Sequence, residues 1–138
     1  MNSVTMQRMK WWWIAAMAAI VVCLSTDARA TGGASAERAW INGAATLVTM
    51  AKSHTAEAGF QWEVEQSRER LREIVLQAGP HPTPQRKQLF VAMIMLNALL
   101  ESASECHEGG VMVCPATLIW QLNAQVKTAL AQLKAMGS

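Results

Sequence analysis

The chain lacks the common catalytic motifs and has few of the residues that carry out chemistry. It contains three histidines and no tyrosine, and no G-x-S-x-G segment that could form a nucleophile elbow. No C-x-x-C-H sequence for haem attachment and no H-x-x-x-H pair of metal ligands is present. We therefore expect a protein that is not an enzyme, has no cofactor and takes no small-molecule substrate.

Residues 1–30 have the organisation of a cleaved secretory signal peptide. Basic residues precede an apolar run over 11–24, and Ala28-Arg29-Ala30 is a small-residue cleavage pattern. This run is shorter than the roughly 20 residues that span a membrane. We predict cleavage after Ala30, which leaves 31–138 as a single periplasmic or secreted domain. The alternative is a retained anchor, with the tryptophans at 11–13 lying at the membrane interface.

Cleavage would also remove the excess of positive charge. The whole chain has 12 basic and 10 acidic residues, and loss of Arg8, Lys10, Arg29 and Asp27 leaves nine of each. A balanced charge provides no electrostatic reason to expect nucleic acid as the partner.

The remaining sequence predicts an all-α fold, a small up-and-down antiparallel helical bundle. Apolar residues recur at helical spacing before Gly59, over 60–78, after the N-cap residue Thr83, and after Pro115. The apolar stripe changes phase at Gly59, so we predict four helices if the chain breaks there and three if it only kinks. The same stripes fit a dimer of helical hairpins, which leaves a homodimer open.

The third helix contains an apolar run over residues 89–100, in which Asn97 is the only polar side chain. A helix that is apolar on all sides is normally buried. Because the run is about 18 Å long, it is too short to cross a membrane. We therefore expect the other helices to surround it, with Asn97 fixing helix register or lining a small polar pocket.

Two cysteines, Cys106 and Cys114, remain in the predicted mature chain. Export to an oxidising compartment favours a disulfide between them. In the chain-entropy model this bond would stabilise the fold by about 2 to 3 kcal/mol.

A weaker alternative is a metal site at one end of the bundle. Antiparallel helices would bring the end of the first helix close to the loop before the last one, so His54, Glu105, His107 and Glu108 would be neighbours. Imidazole and carboxylate groups bind zinc or copper. A haem carrier that used a Met and a His from the terminal helices would need a histidine in the last helix, and that helix has none.

On the last helix, Trp120 points away from the main apolar stripe. Ala124 and Ala131 lie near the same azimuth and form a second, small apolar face. A protein partner could pack there, or Trp120 could cover the flank of the bundle or pack under the cysteine loop. We take these three residues as the candidate partner-binding residues.

These patterns together favour a non-catalytic exported protein that acts through protein-protein contacts in the cell envelope. It would serve as an accessory subunit, adaptor, chaperone or inhibitor. The alternative is a periplasmic metal- or haem-binding carrier.

Overall fold

The computed structural model describes residues 34–137, so the predicted signal peptide lies outside the described residues. This part of the chain folds into four helices and one short β-hairpin. The elements are α1 (Ala34–Lys52), α2 (Glu57–Gln77), α3 (Pro84–Ala103), β1 (His107–Glu108), β2 (Val111–Met112) and α4 (Ala116–Ala135). The predicted helical bundle is confirmed. None of the described helices is long and apolar enough to cross a membrane.

The four helices form a ring in which each one packs against its neighbours in sequence and α4 returns to pack against α1. Helices α1 and α3 also touch across the middle, so α2 and α4 occupy the other two corners. All four helices and β2 contribute to one core. Its largest fully buried side chains are Ile41, Phe60, Leu89, Met93, Leu96, Leu100, Met112, Leu122 and Leu133.

The start of α3 follows the predicted N-cap, and α2 ends at Gln77, one residue before the end that the apolar spacing predicted. The hydroxyl of Thr83 accepts a hydrogen bond from the Arg86 main-chain N–H at 3.3 Å, and Pro84 occupies the first turn. Gly79, with φ +82°, follows α2 in the left-handed conformation that commonly ends helices.

The first two helices are separate, but the chain breaks at residues 53–56 and not at Gly59, which lies inside the first turn of α2. His54 has φ 54°, a left-handed conformation that turns the chain out of α1. The Thr55 hydroxyl then donates a hydrogen bond to the main-chain oxygen of Met50 at 2.7 Å. The same oxygen accepts a hydrogen bond from the Ser53 main-chain N–H at 3.2 Å, so the two bonds together cap the end of α1.

Strands β1 and β2 pair in antiparallel fashion around Gly109 and Gly110, whose φ values are 60° and 79°. A two-residue turn of this kind needs positive φ at both positions, which glycine adopts freely. The hairpin also binds the α1–α2 connection: the Met112 N–H donates to the Thr55 oxygen at 2.8 Å and the Glu57 N–H to the Gly110 oxygen at 2.9 Å. The two connections therefore meet at one end of the bundle.

The predicted disulfide is not formed, because Cys106 and Cys114 are free thiols whose sulfur atoms are not at bonding distance. The Val113 N–H donates to the Cys106 oxygen at 2.7 Å, so Val113 lies opposite Cys106 and Cys114 lies one residue further along. The Cys106 sulfur is 3.9 Å from the main-chain oxygen of Ser102, and the Cys114 sulfur is 3.5 Å from that of Ala103.

The apolar run of α3 is not surrounded on all sides, contrary to the expectation from sequence. Leu89, Met93 and Leu96 are fully buried, whereas Val91, Ile94 and Met95 are each more than half exposed. Because α3 occupies one corner of the ring, only its inner half faces the other helices. The run therefore contributes to the core and also forms an apolar outer surface.

Candidate interaction surfaces

The hairpin end of the bundle holds two of the histidines that we considered as metal ligands. His107 Nε2 lies 3.1 Å from a carboxylate oxygen of Glu57. The His54 Nδ1–H donates to the main-chain oxygen of Met112 at 3.0 Å. Because a carbonyl oxygen can only accept, this bond requires the proton on Nδ1.

The candidate ligand set is not assembled at this end of the bundle. Within residues 34–137, no three His, Cys, Asp or Glu side chains are grouped so that they could hold a metal ion. Glu105 and Glu108 are exposed, while His54 and His107 are engaged with different partners. The contacts of His54 and His107 therefore join the α1–α2 connection to the hairpin.

The Cys114 thiol is held in its neutral form. Burial, together with a hydrogen bond and charge repulsion from Cys106, raises the pKa of Cys114 from 9.0 to about 12. A thiol is nucleophilic and binds metals as the thiolate. Cys114 is therefore a poor nucleophile and a poor metal ligand near neutral pH.

Of the three candidate partner-binding residues, Trp120 is the most informative. It is 72% exposed on the outer side of α4. Ala131 is exposed and Ala124 is half-buried. We name the surface formed by Trp120, Ala124 and Ala131 the Trp120 face. Lys127 and Lys134 lie along the same side of α4, at helical spacing from Trp120.

A second apolar surface lies on α3 and was not predicted. It consists of Val91, Ile94, Met95 and Ala98, all exposed and spaced as one helix stripe, and we name it the α3 outer face. Sequence hydropathy could not reveal it, because the same run also supplies the core. The only sequence feature that could have indicated the α3 outer face was the large number of apolar residues on a single helix.

The α3 outer face borders a groove of about 400 Å³ between α3 and α4. Lys87 and Gln88, followed by Val91, Ala92 and Met95, line the α3 side, and polar side chains of α4 line the other. The Gln125 amide donates to the main-chain oxygen of Ala92 at 3.0 Å, which fixes the two helices together beneath the groove. The apolar part of the groove therefore lies on its α3 wall, and the α4 wall is polar.

Three buried polar atoms lack a hydrogen-bond partner in the part of the chain that the structure describes: Glu37 Oε2, Arg86 Nε and Asn97 Oδ1. Glu37 and Arg86 form an ion pair with each other at 3.2 Å, through their other atoms. Asn97 is buried within the bundle. It does not line the α3–α4 groove or the smaller cleft beside Trp40.

No protein-family model, no curated protein and no solved structure matches this chain. The function must therefore be inferred from the surfaces that the chain itself presents.

Proposed function

We propose that the processed chain acts in the cell envelope by binding another protein, as an accessory subunit, adaptor, chaperone or inhibitor, and that it performs no catalysis. The observation that carries this proposal is the exposure of Trp120, 72% of whose surface is in contact with solvent. Tryptophan is enriched at protein interfaces and among the residues that contribute most to binding energy, because its large ring buries much apolar area. Trp120 has the exposure that such an interface residue needs.

The residues beside Trp120 suit a helical partner. Ala124 and Ala131 are small and follow Trp120 by about one and three helical turns, so a second helix can lie close to α4 beyond the indole ring. Lys127 and Lys134 would then flank that helix. We expect the partner segment to be an amphipathic helix whose apolar stripe is bordered by Asp or Glu, since opposite charges at the rim favour correct association.

The first test is purification of the protein from its native envelope, with intact-mass, absorbance and metal measurements on the same sample. We expect a bound protein partner, no haem band and no stoichiometric metal, with a mature N-terminus at Thr31. A solitary protein that carried stoichiometric haem, copper or zinc would overturn the proposal and favour the carrier alternative. His54 and His107 would then be the residues to replace.

A variant pair makes the test specific to one surface. Trp120→Ala should weaken partner binding by at least about tenfold, which corresponds to an interface residue worth more than 1.4 kcal/mol. Trp62→Ala is the matched control, because Trp62 is also largely exposed but lies on α2, at another corner of the bundle. Both variants should retain the helical circular dichroism of the parent. Equal binding by parent and Trp120→Ala would contradict this assignment.

A further inference from the structure

We propose that the α3 outer face binds a second copy of this chain, with the two α3 helices packed antiparallel about a two-fold axis. This contact is separate from the Trp120 face and does not depend on it. The two surfaces belong to different helices, and the residues of α4 that border the α3 groove lie about 100° around the helix from Trp120.

The first reason is the composition and spacing of the face. Val91, Ile94 and Met95 are 57%, 51% and 53% exposed, and Ala98 continues the stripe one turn further. Exposed apolar residues scattered singly need no explanation, but a contiguous apolar patch marks an interaction site. Residues at i, i+3 and i+7 form the seam through which helices pack against each other. The face therefore has the pattern of a helix-packing surface that no part of residues 34–137 covers.

The second reason is the charge at the two ends of the stripe, which selects a second copy in antiparallel orientation. Lys87 lies on the stripe before the apolar residues, and Glu105 follows it after the end of α3. Both are exposed, and neither forms an ion pair with another described residue. The stripe thus begins with a positive charge and ends with a negative one, and an antiparallel copy reverses that order.

The geometry places these charges within reach. A two-fold axis between Ile94 and Met95 puts Lys87 of one copy level with Ser102 of the other. Glu105 is three residues further along the chain, in the turn that directly follows α3, so Lys87 of one copy lies close to the turn that carries Glu105 of the other. A parallel arrangement would instead place the two Lys87 side chains together. The same two-fold contact forms both ion pairs, as expected of a self-complementary interface.

The groove beside the face extends the contact beyond a single pair of helices. Met95 lies at its edge, and Gln125, Thr128 and Gln132 form its polar wall. The flexible methionine side chain of each copy can enter the groove of the other. The partly exposed amides of the glutamines and the exposed Thr128 provide the polar rim that protein interfaces commonly carry.

The test is sedimentation velocity of the protein over a range of concentrations, after expression from its full sequence in an exporting host and purification as processed. The parent should sediment as a monomer–dimer equilibrium. Ile94→Glu should raise the dimer dissociation constant by at least about a hundredfold, since it removes apolar contact and brings two like charges to the two-fold axis. Leu76→Glu is the matched control and should leave the dimer unchanged, because Leu76 is an exposed apolar residue on α2.

Charge reversal tests the orientation. Lys87→Glu and Glu105→Lys should each weaken the dimer by about tenfold, and the double variant should restore the parental affinity. A parallel dimer would gain nothing from the double variant. The proposal is overturned by a parent that remains monomeric at all concentrations, by a dimer that Ile94→Glu leaves intact, or by single reversals that the double variant does not rescue. Circular dichroism of each variant separates loss of association from loss of folding.

Discussion

The carboxylate of Glu37 lies 3.2 Å from the guanidinium group of Arg86, and the glutamate is almost completely buried. The two residues belong to the first turns of α1 and α3, the helices that touch across the middle of the bundle. The positive end of the α1 dipole favours the carboxylate, whereas the corresponding end of α3 disfavours the cation. The ion pair with Glu37 offsets the unfavourable interaction of Arg86 with the α3 dipole.

Removing Arg86 from this pair should destabilise the protein more than removing the charge of Glu37. Arg86→Met leaves a buried carboxylate without its partner, and we expect it to lower the free energy of unfolding by about 2 to 4 kcal/mol. Glu37→Gln should cost less, because Arg86 is partly exposed and can be solvated. The double variant Glu37→Met with Arg86→Met should recover most of the loss. Urea unfolding followed by circular dichroism measures all three, with the exposed Gln85→Met as control.

The backbone at His54 should respond differently to alanine and to glycine. His54→Ala loses the hydrogen bond to Met112 and keeps a side chain in the left-handed conformation, so we expect a loss of about 1 kcal/mol. His54→Gly loses the same bond but removes the conformational cost of about 1 kcal/mol. The glycine variant should therefore melt at a higher temperature than the alanine variant. Equal melting temperatures would mean that the backbone there is not strained.

The hairpin turn depends on its two glycines. Gly109→Val and Gly110→Val should each lower stability by about 1 to 2 kcal/mol, because both positions have positive φ. Gly109→Asn should stay close to the parent, since asparagine is common in such turns. Gly43→Ala is an informative control. Gly43 lies inside α1 and an added Cβ would touch nothing there, so alanine should stabilise the protein by about 0.5 to 1 kcal/mol.

The Cys114 thiol should react slowly in the folded protein. Because burial raises its pKa to about 12, little thiolate forms at pH 8, and alkylation by iodoacetamide should accelerate as the pH rises toward 12. In urea the thiol regains its ordinary pKa of 9.0 and should react faster at the same pH. Pulsed alkylation with mass spectrometry measures both rates. Cys106→Ala should speed the reaction of Cys114 only partly, because burial is the larger cause.

The sign of the linked stability effect follows from the same pKa. The folded value lies above the unfolded one, so the contribution of Cys114 to stability is fully present below pH 9 and is lost as the pH rises toward 12. Unfolding measured across that range should show a decrease that Cys114→Ala reduces. A decrease of equal size in the variant would assign the effect to other groups.

Local signals in the sequence were sufficient for the helices. Thr83 with Pro84 begins α3, and Gly79 follows α2, because caps and left-handed glycines act within one turn of the chain. The break between the first two helices was predicted but misplaced at Gly59. Its actual position depends on His54 and on hydrogen bonds from the distant β2 strand, which no local pattern contains.

The surfaces were harder to predict, because apolar residues look alike whether their own chain or another covers them. The α3 run contains both Leu96, which is fully buried, and Ile94, which is half exposed. Only the position of α3 at a corner of the ring distinguishes them. The disulfide was also mispredicted, because compartment and cysteine number do not determine whether two sulfur atoms come within bonding distance.

The hairpin that joins the two connections has a consequence for the lifetime of the folded state. Its hydrogen bonds to Thr55 and Glu57 link residues more than 50 positions apart in sequence. Contacts that close such a long loop form after the local helices, because the chain entropy must be overcome first. Substitutions in the hairpin should therefore change the unfolding rate far more than the folding rate. The hairpin, which is the smallest element of the fold and the last to form, would then determine the lifetime of the folded bundle.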